Sequence, residues 1–398
     1  MSEWRKLPLK EITVKIGSGS TPTGGSGAYK ETGVSLIRSQ NVLDFSFTNN
    51  GLAFIDEEQA HALRNVIVEP QDVLLNITGD SVTRCCSAPK EWLPARVNQH
   101  VAIIRANPKH LDSLFLKYSL ISIKDELLSL SEIGGTRNAL TKSMLENLNL
   151  FVPSVIEQKA IASVLSSLDN KIDLLHRQNK TLESMANALF RQWFIKEAQD
   201  DWVEGTLSSI ASNVRENVTK QNISSEALYV GLEHIDRRNI ALLKNGNGSD
   251  VDSNKSKFST GDILFGKLRP YFHKVCTAPF DGICSTDILV IRPKNHNLQC
   301  FCLFAFFQDE VIEFSNIASG GTRMPRIDWT SLANYPISLP PDDKLNDFEK
   351  IVSIQVRRIN FNVHKIKNLE NLRGTLLPKL MSGEVRVQYA EEAIASVA

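Results

Sequence analysis

Residues 161–189 read IASVLSSLDNKIDLLHRQNKTLESMANAL, a stretch in which mostly apolar residues return at alternating steps of four and three. This spacing indicates the seam of a coiled coil, because it keeps one face of a helix turned toward a partner helix. Just upstream, Ser154 and Glu157 follow Pro153 in the order of a capping box, which predicts a helix start there. The seam residues are Ile161, Leu165, Leu168, Ile172, Leu175, Asn179, Leu182, Ala186 and Leu189.

A second stretch near the C-terminus has the same spacing, and we expect Pro378 to end or kink its helix. A helix of about 40 residues is roughly 60 Å long, longer than a small domain, so much of it needs a partner. Packing on its own domain is the alternative, but two such helices favour packing against each other. The second seam consists of Phe348, Val352, Gln355, Ile359, Asn362, Ile366, Leu369, Arg373 and Leu376.

Polar residues in the two seams predict the direction of pairing. A buried asparagine is costly unless a polar group faces it. Antiparallel helices in one register set Asn179 against Asn362 and Leu182 against Ile359. The same register places Arg373 against Leu168, so we expect this arginine to extend toward solvent.

The segments ahead of the two helices repeat each other in four blocks that keep the same order, which indicates two related domains. Short β-branched and aromatic runs between turn residues predict strands in both. We therefore expect an α+β protein with two tandem mixed domains, each followed by a long helix. The matching blocks are 4–9 with 202–207, 72–75 with 262–265, 98–105 with 285–292, and Gly-Gly-Thr-Arg at 134–137 and 320–323. The predicted boundaries are 1–153, 154–198, 199–341 and 342–385, with a tail at 386–398.

Composition excludes several classes of protein. The chain is 42% hydrophobic and 23% charged, and it contains no apolar run long enough to cross a bilayer. The N-terminus lacks a secretory signal, so we expect a cytoplasmic protein. A net charge of zero argues against non-specific coating of nucleic acid. Six cysteines without a C-x-x-C pair indicate reduced thiols and no metal site.

The tandem pattern resembles the specificity subunits of type I restriction-modification systems over nearly the whole chain. In the second half, Pro340-Pro341-Asp342-Asp343-Lys344 departs from the family's helix start. The residues that carry the resemblance are Ser20-Thr21-Pro22, Val34-Ser35-Leu36-Ile37-Arg38, Asp72-Val73-Leu74-Leu75, Gly134-Gly135-Thr136-Arg137, and the runs 150–162, 229–235 and 261–271.

This resemblance implies two target recognition domains that each read one half of a bipartite double-stranded DNA site, joined by antiparallel spacer helices. It implies a non-catalytic chain without a cofactor of its own. The implied partners are two adenine methyltransferase subunits, which use S-adenosylmethionine, and motor-nuclease subunits, which use ATP and Mg²⁺. Such a protein is bacterial or archaeal, associated with DNA and active in phage defence.

Sequence readout requires Arg or Lys for guanine and Asn or Gln for adenine, so clusters of these residues are candidates for DNA contacts. A solvated loop is the alternative for any one cluster, and a tight turn is the alternative for Gly-Gly-Thr-Arg. The candidates are Thr21, Arg38, Gln40, Asn41, Asn76, Thr78, Arg84, Asn98, Gln99 and Arg137 in the first half, and His234, Arg237, Lys267, Arg269, Tyr271, Lys274 and Arg323 in the second.

Two other classes of protein stay open at this point. A scaffold could use both domains to bind only proteins, in which case no sequence-selective DNA binding is expected. A DNA enzyme could carry an unrecognised active site, although the sequence contains neither H-E-x-x-H nor G-x-S-x-G.

Overall fold

The computed structural model describes residues 4–22, 24–132, 138–320 and 324–387. These residues form two compact units. Unit 1 contains the described residues up to Lys171 and those from Leu369 onward, and unit 2 contains Ile172–Asn368. Within the described ranges, no helix is both long enough and apolar enough to span a membrane.

Unit 1 combines short strands with helices that flank them. Its strands are β1 (Arg5–Pro8), β2 (Thr13–Ser18), β3 (Val34–Ile37), β4 (Ala53–Ile55), β5 (Ile67–Val68), β6 (Val73–Asn76), β7 (Cys85–Ser87), β8 (Ala95–Val97), β9 (Val101–Ala106) and β10 (Asn149–Val152). Its helices are α1 (Leu9–Ile12), α2 (Glu57–Ala62), α3 (Ser113–Ser122), α4 (Lys124–Glu132), α5 (Lys142–Asn147) and the first part of α6 (Val155–Arg191).

The described residues of unit 1 form three sheets. Strands β2, β9, β6 and β7 form an antiparallel sheet in that order. A second sheet has the order β4-β3-β8-β5, with β3 and β8 parallel, and β1 pairs with β10. Strands β3 and β6 are buried along their whole length, as expected for strands covered on both faces.

Unit 2 has the same kinds of element. Its strands are β11 (Val203–Thr206), β12 (Ala211–Val214), β13 (Asn217–Val218), β14 (Leu228–Val230), β15 (Gly246–Asn247), β16 (Lys255–Phe258), β17 (Ile263–Gly266), β18 (Val275–Thr277), β19 (Gly282–Cys284), β20 (Ile288–Pro293) and β21 (Pro336–Leu339). Its helices are α7 (Leu207–Ile210), α8 (Gln299–Phe306), α9 (Asp309–Ile317), α10 (Trp329–Ala333) and most of α11 (Asp342–Met381), with a π-helical turn at Gln192–Lys196 that follows α6.

The strand order of unit 2 follows that of unit 1, except that β13 adds a fifth strand to the second sheet, which has the order β15-β14-β19-β16-β13. Strands β12, β20, β17 and β18 form an antiparallel sheet like β2-β9-β6-β7, and β11 pairs with β21 as β1 pairs with β10. The parallel pair β14–β19 corresponds to β3–β8. The predicted repeat of two mixed domains, each followed by a long helix, is therefore confirmed.

A buried ion pair explains part of the repeated sequence. The guanidinium of Arg105 donates from Nε and Nη2 to the two carboxylate oxygens of Asp72 at 2.7 and 2.9 Å. In unit 2, Arg292 makes the same two bonds to Asp262 at 2.7 and 2.8 Å. Both aspartates are buried. The ion pair therefore links two of the matching blocks in each unit, which lie on neighbouring strands of one sheet.

Within unit 2, the two long helices pack antiparallel in the predicted register. Nδ2 of Asn362 donates to Oδ1 of Asn179 at 2.7 Å, and both side chains are buried. Further along, the rings of Phe190 and Phe348 lie 6.0 Å apart. From the first contact to the second, the residue numbers increase along α6 and decrease along α11. The two helices therefore run in opposite directions, and the antiparallel prediction is confirmed.

Within unit 1, the expectation for Arg373 is wrong. Its side chain is only 13% exposed, because Nη1 donates to Asp169 at 2.7 Å and the guanidinium lies 3.6 Å from the ring centre of Phe45. Asp169 also accepts hydrogen bonds from Lys117 and Tyr118 at 2.9 and 2.6 Å. The acidic partner lies one residue beyond the expected position, Leu168, so the arginine is paired without reaching solvent.

The helix starts and ends agree with local chemistry. Ser154 Oγ accepts a hydrogen bond from the Glu157 backbone at 3.3 Å, as the capping sequence predicts. The second helix begins at Asp342, where two aspartates in the first turn favour a helix N-terminus. Pro378 lies inside this helix, which ends three residues later at Met381.

Candidate nucleic-acid interface

In unit 1, two predicted segments and the residues that follow Gly-Gly-Thr-Arg meet where the inner strand β6 ends. The Ile77 backbone N–H donates to the carbonyl of His100 at 3.0 Å, and Leu140 N–H donates to the carbonyl of Ile77 at 2.8 Å. Gly79 N–H donates to the carbonyl of Asn138 at 3.3 Å. The residues that follow Gly-Gly-Thr-Arg are thereby held beside the loops at 77–79 and 98–100.

Unit 2 repeats this backbone arrangement at the end of β17. Lys267 N–H donates to the carbonyl of Asp287 at 2.9 Å, and Ile327 N–H donates to the carbonyl of Lys267 at 3.1 Å. Arg269 N–H donates to the carbonyl of Pro325 at 2.8 Å. These three backbone hydrogen bonds form a frame that is the same in both units. Each unit therefore presents a candidate surface on this frame, and the side chains on the two surfaces differ.

A chain of hydrogen bonds links four polar side chains on the frame of unit 1. The Thr21 hydroxyl donates to Oε1 of Gln99, and Nε2 of Gln99 donates to Nε2 of His100 at 3.1 Å. Nδ1 of His100 lies 2.5 Å from Oγ1 of Thr78. Because the Gln99 amide donates to Nε2, the proton of a neutral His100 belongs on Nδ1. Gln99 is exposed, so this set combines a fixed geometry with access from solvent.

Arg38 and Gln40 lie on a neighbouring loop of unit 1. Both donate to the carbonyl of Gly51, Gln40 at 3.0 Å, and the Arg38 guanidinium lies 5.1 Å from the ring centre of Tyr29. Gln40 is exposed and Arg38 is half-buried. Their polar groups are held in place by the fold and remain close to the surface.

Three asparagines of the candidate set are buried and hold loops. Asn41 is 0% exposed and donates to the carbonyls of Thr48 and Asn50. Asn76 is likewise 0% exposed and donates to the carbonyl of Ser39 at 2.9 Å. The Asn98 side chain accepts from its neighbour His100 N–H at 3.1 Å. These side chains shape the surface from beneath it.

Two half-buried cations have no polar partner in the described part of the chain. The side chains of Arg84 in unit 1 and Lys267 in unit 2 form no hydrogen bond or ion pair with the described residues. Lys267 lines a small hollow of about 220 Å³ together with Thr286 and Trp329. Both cations can therefore bind an external acceptor without breaking a contact to a described residue.

The basic and aromatic run of unit 2 forms a turn that projects its middle residue. Residues Pro270–Phe272 make one turn of 3-10 helix, and Arg269 and His273 on either side have left-handed φ values of 51° and 50°. The Tyr271 side chain is 51% exposed. Left-handed non-glycine residues are costly, and they tend to cluster at functional sites.

The neighbours of this turn complete the candidate surface of unit 2. The Arg237 guanidinium lies 4.0 Å from the ring centre of Phe272. Lys274 donates to the carbonyl of Leu232, and burial, followed by repulsion from Arg237, lowers the pKa of this lysine. Nδ1 of His234 accepts a hydrogen bond from the Gly231 backbone at 2.9 Å.

Sequence reasoning missed Phe272 and Arg326 and named two residues that cannot be placed. Phe272 supports Arg237, and an ion pair of 2.8 Å joins Arg326 to Asp287 on the frame of unit 2. No spacing in the sequence distinguishes these residues from ordinary loop positions. Arg137 and Arg323 lie outside the described residues.

Thiol and metal chemistry receive no support from the geometry. All six cysteines are buried, and burial raises the pKa of Cys86 and of Cys284 to about 12. Among the described residues, no group of three His, Cys, Asp or Glu side chains could hold a metal ion.

Comparison with known proteins identifies relatives along nearly the whole chain. The family model for the type I restriction modification DNA specificity domain matches residues 1–184 and 199–371. The chain is 27% identical over 290 residues to the type I restriction enzyme MjaIX specificity subunit of Methanocaldococcus jannaschii, covering 64% of the chain and 65% of that relative, just under two thirds of its length. It is 21% identical to the HindI specificity subunit of Haemophilus influenzae over 97% of the chain and 100% of the relative.

A solved structure shares the fold. The crystal structure of the type I restriction-modification S subunit from M. genitalium superposes with a TM-score of 0.60 and 15% sequence identity, covering 95% of this chain and 96% of that one. The two family matches fall on the two halves of the chain, each taking in one mixed domain and most of the helix that follows it. This chain therefore belongs to the type I restriction-modification DNA specificity family.

Proposed function

We propose that this chain reads a bipartite double-stranded DNA site, one half with each unit, and positions methyltransferase and restriction subunits on it. The observation that carries the proposal is the repeated frame at the end of β6 and β17, which carries different side chains in the two units. One fold can present two surfaces in this way, and two surfaces of unlike chemistry suit two half-sites of unlike sequence.

The chemistry of the two surfaces supports this division. Unit 1 offers the Thr21–Gln99–His100–Thr78 chain, whose amide and hydroxyl groups suit the acceptors and donors of base edges. Unit 2 offers the side chains of Lys267, Arg269 and Arg237, which suit guanine and phosphate. The neutral total charge is consistent with local contacts rather than a general basic coat.

Specificity subunits are the recognition components of these systems and are not catalytic. Under the proposal, residues 1–153 and 199–341 recognise DNA, and the helical segments 154–198 and 342–385 set the gap between half-sites. Half-sites read from one DNA face lie about one helical turn, roughly 34–36 Å, apart. Two adenine methyltransferase subunits would supply S-adenosylmethionine chemistry and motor-nuclease subunits would supply ATP- and Mg²⁺-dependent cleavage, so this chain needs no cofactor.

Selection from a library of randomised DNA duplexes tests the proposal. The chain, co-purified with the methyltransferase of its own system, should enrich two short motifs with a fixed number of unspecified bases between them. Enrichment of no sequence, together with the absence of salt-dependent DNA retention, would favour a protein-binding scaffold. Cleavage or methylation of DNA by the chain alone would instead identify it as an enzyme.

A further inference from the structure

We propose that Arg237 is a specificity-determining residue, which reads a guanine in the half-site bound by unit 2, and that Phe272 is its positioning residue. This inference rests on the proposed function and adds to it the base and the side chain that recognises that base. The guanidinium of Arg237 lies 4.0 Å from the ring centre of Phe272. Arg237 itself is exposed, and its side chain forms no hydrogen bond or ion pair with the residues the structure describes.

The turn beneath Arg237 is fixed at both ends. Arg269 N–H donates to the carbonyl of Pro325 at 2.8 Å, and Arg238 N–H donates to the carbonyl of His273 at 2.9 Å. Nε2 of His273 lies 3.0 Å from the carbonyl of Phe307. Since both ends of the turn are bonded to other parts of unit 2, Phe272 presents its ring at a defined place.

The neighbouring arginine shows why Arg237 is available for binding. Arg238 forms an ion pair of 2.8 Å with Asp309. The adjacent acid, Asp236, is paired with Lys244 at 2.9 Å. The charges on either side of Arg237 are thus satisfied within the fold, and its own charge is left for an external acceptor.

An aromatic ring beneath a guanidinium favours base reading over a phosphate contact. Stacking restricts the plane of the guanidinium, and less entropy is then lost when its two parallel N–H groups bind coplanar acceptors. The O6 and N7 atoms of guanine in the major groove are such a pair. A phosphate contact depends less on a fixed guanidinium plane, because a lysine ammonium also binds phosphate, as a point charge.

The exposed Tyr271 adds contact area next to this arginine. Its ring centre lies 4.7 Å from that of Phe272, with the two planes inclined at 67°. Tyrosine provides a large surface with few rotatable bonds, so it can pack against DNA at a small entropic cost. The tyrosine and the arginine therefore approach the same stretch of DNA.

The test repeats the duplex selection with variants of the complex. Arg237→Lys keeps the charge and loses the fork, and Phe272→Leu removes the stacking. Arg358→Lys is the matched control, because Arg358 is also exposed and lies 5.3 Å from an aromatic ring, that of Phe361, but on α11. Thermal unfolding and circular dichroism establish that each variant is folded.

For Arg237→Lys we expect preference for guanine at one position of one half-site to fall by about tenfold to a hundredfold, with the other positions unchanged. Phe272→Leu should weaken the same position by a smaller factor, and Arg358→Lys should leave the motif intact. If Phe272→Leu does not fold, Arg237→Lys decides the question alone.

Two results would overturn the inference. One is an unchanged motif in Arg237→Lys. The other is an unchanged motif in the Arg237→Gln complex, with affinity for all DNA sequences reduced equally. If the salt dependence of binding also fell by about one ion, Arg237 would contact a phosphate instead of a base. Absence of a two-part motif in the unmodified complex would instead reject the proposed function itself, so the two failures are distinguishable.

Discussion

At the scale of single residues, the buried carboxylates of Asp72 and Asp262 each hold an arginine on the neighbouring strand. Asp72 also accepts from the Glu69 backbone N–H at 2.7 Å, and Asp262 accepts from Ser259 N–H at the same distance. Each carboxylate therefore accepts hydrogen bonds both from a turn and from an arginine on the neighbouring strand. This double use gives a physical reason for the matching residues in both halves of the sequence.

Replacing Asp72 with Asn should destabilise unit 1, because the Arg105 guanidinium then loses its buried acceptor. The Arg105 side chain is 21% exposed, so water recovers part of the loss and we expect a cost of about 2 kcal/mol. Denaturant unfolding measures this cost. The control is Asp173→Asn, whose exposed pair with Arg177 should contribute no more than about 0.5 kcal/mol. Equal effects of the two substitutions would contradict the account.

His273 should make unit 2 less stable in mild acid. Burial, followed by repulsion from Arg238, lowers the pKa of His273 below its ordinary value of 6.5, although Asp309 opposes the shift. As pH falls below 6.5, the unfolded chain binds a proton that the folded chain resists, so stability decreases. The Tm should fall more steeply between about pH 7.5 and about pH 5.5 in the unmodified protein than in His273→Gln. Parallel curves would show that the imidazole does not contribute.

At the scale of elements, the sequence predicted the long helices well and their charged contacts poorly. The seam spacing is a local, periodic signal, and it predicted both the helices and the pairing of Asn179 with Asn362. Arg373 was misplaced because its partners, Asp169 and Phe45, come from outside the seam pattern. Contacts that depend on a loop meeting a helix have no periodicity in the sequence.

Replacing one asparagine of the seam pair should lower the stability of unit 2 more than replacing both. The single bond between Asn362 and Asn179 leaves Nδ2 of Asn179 and Oδ1 of Asn362 without hydrogen-bond partners among the described residues. Asn179→Leu alone should destabilise unit 2 by about 1–3 kcal/mol, since it removes an acceptor of Asn362. Adding Asn362→Leu should restore much of that stability. Denaturant unfolding of the unmodified protein, the two single variants and the double variant gives the coupling free energy. Strictly additive effects would contradict the assigned register.

At the scale of the whole molecule, the repeat was the most informative property of the sequence. Four matching blocks predicted two domains of one fold, which the strand orders of the two units confirm. The candidate surfaces were predicted only as clusters of residue types. Asn41 and Asn76 fit the expected chemistry, yet their side-chain amides donate hydrogen bonds to loop carbonyls. Burial of that kind follows from the path of loops, which residue types alone do not determine.

The most direct test of the central claim is genome-wide sequencing of methylated adenines in cells that carry this chain with its methyltransferase, before and after residues 1–150 are exchanged for those of a relative. We predict a two-part motif with a fixed gap, in which the exchange changes one half and leaves the other half and the gap unchanged. A continuous motif, or methylation that is indifferent to the exchange, would contradict the assignment of one half-site to each unit.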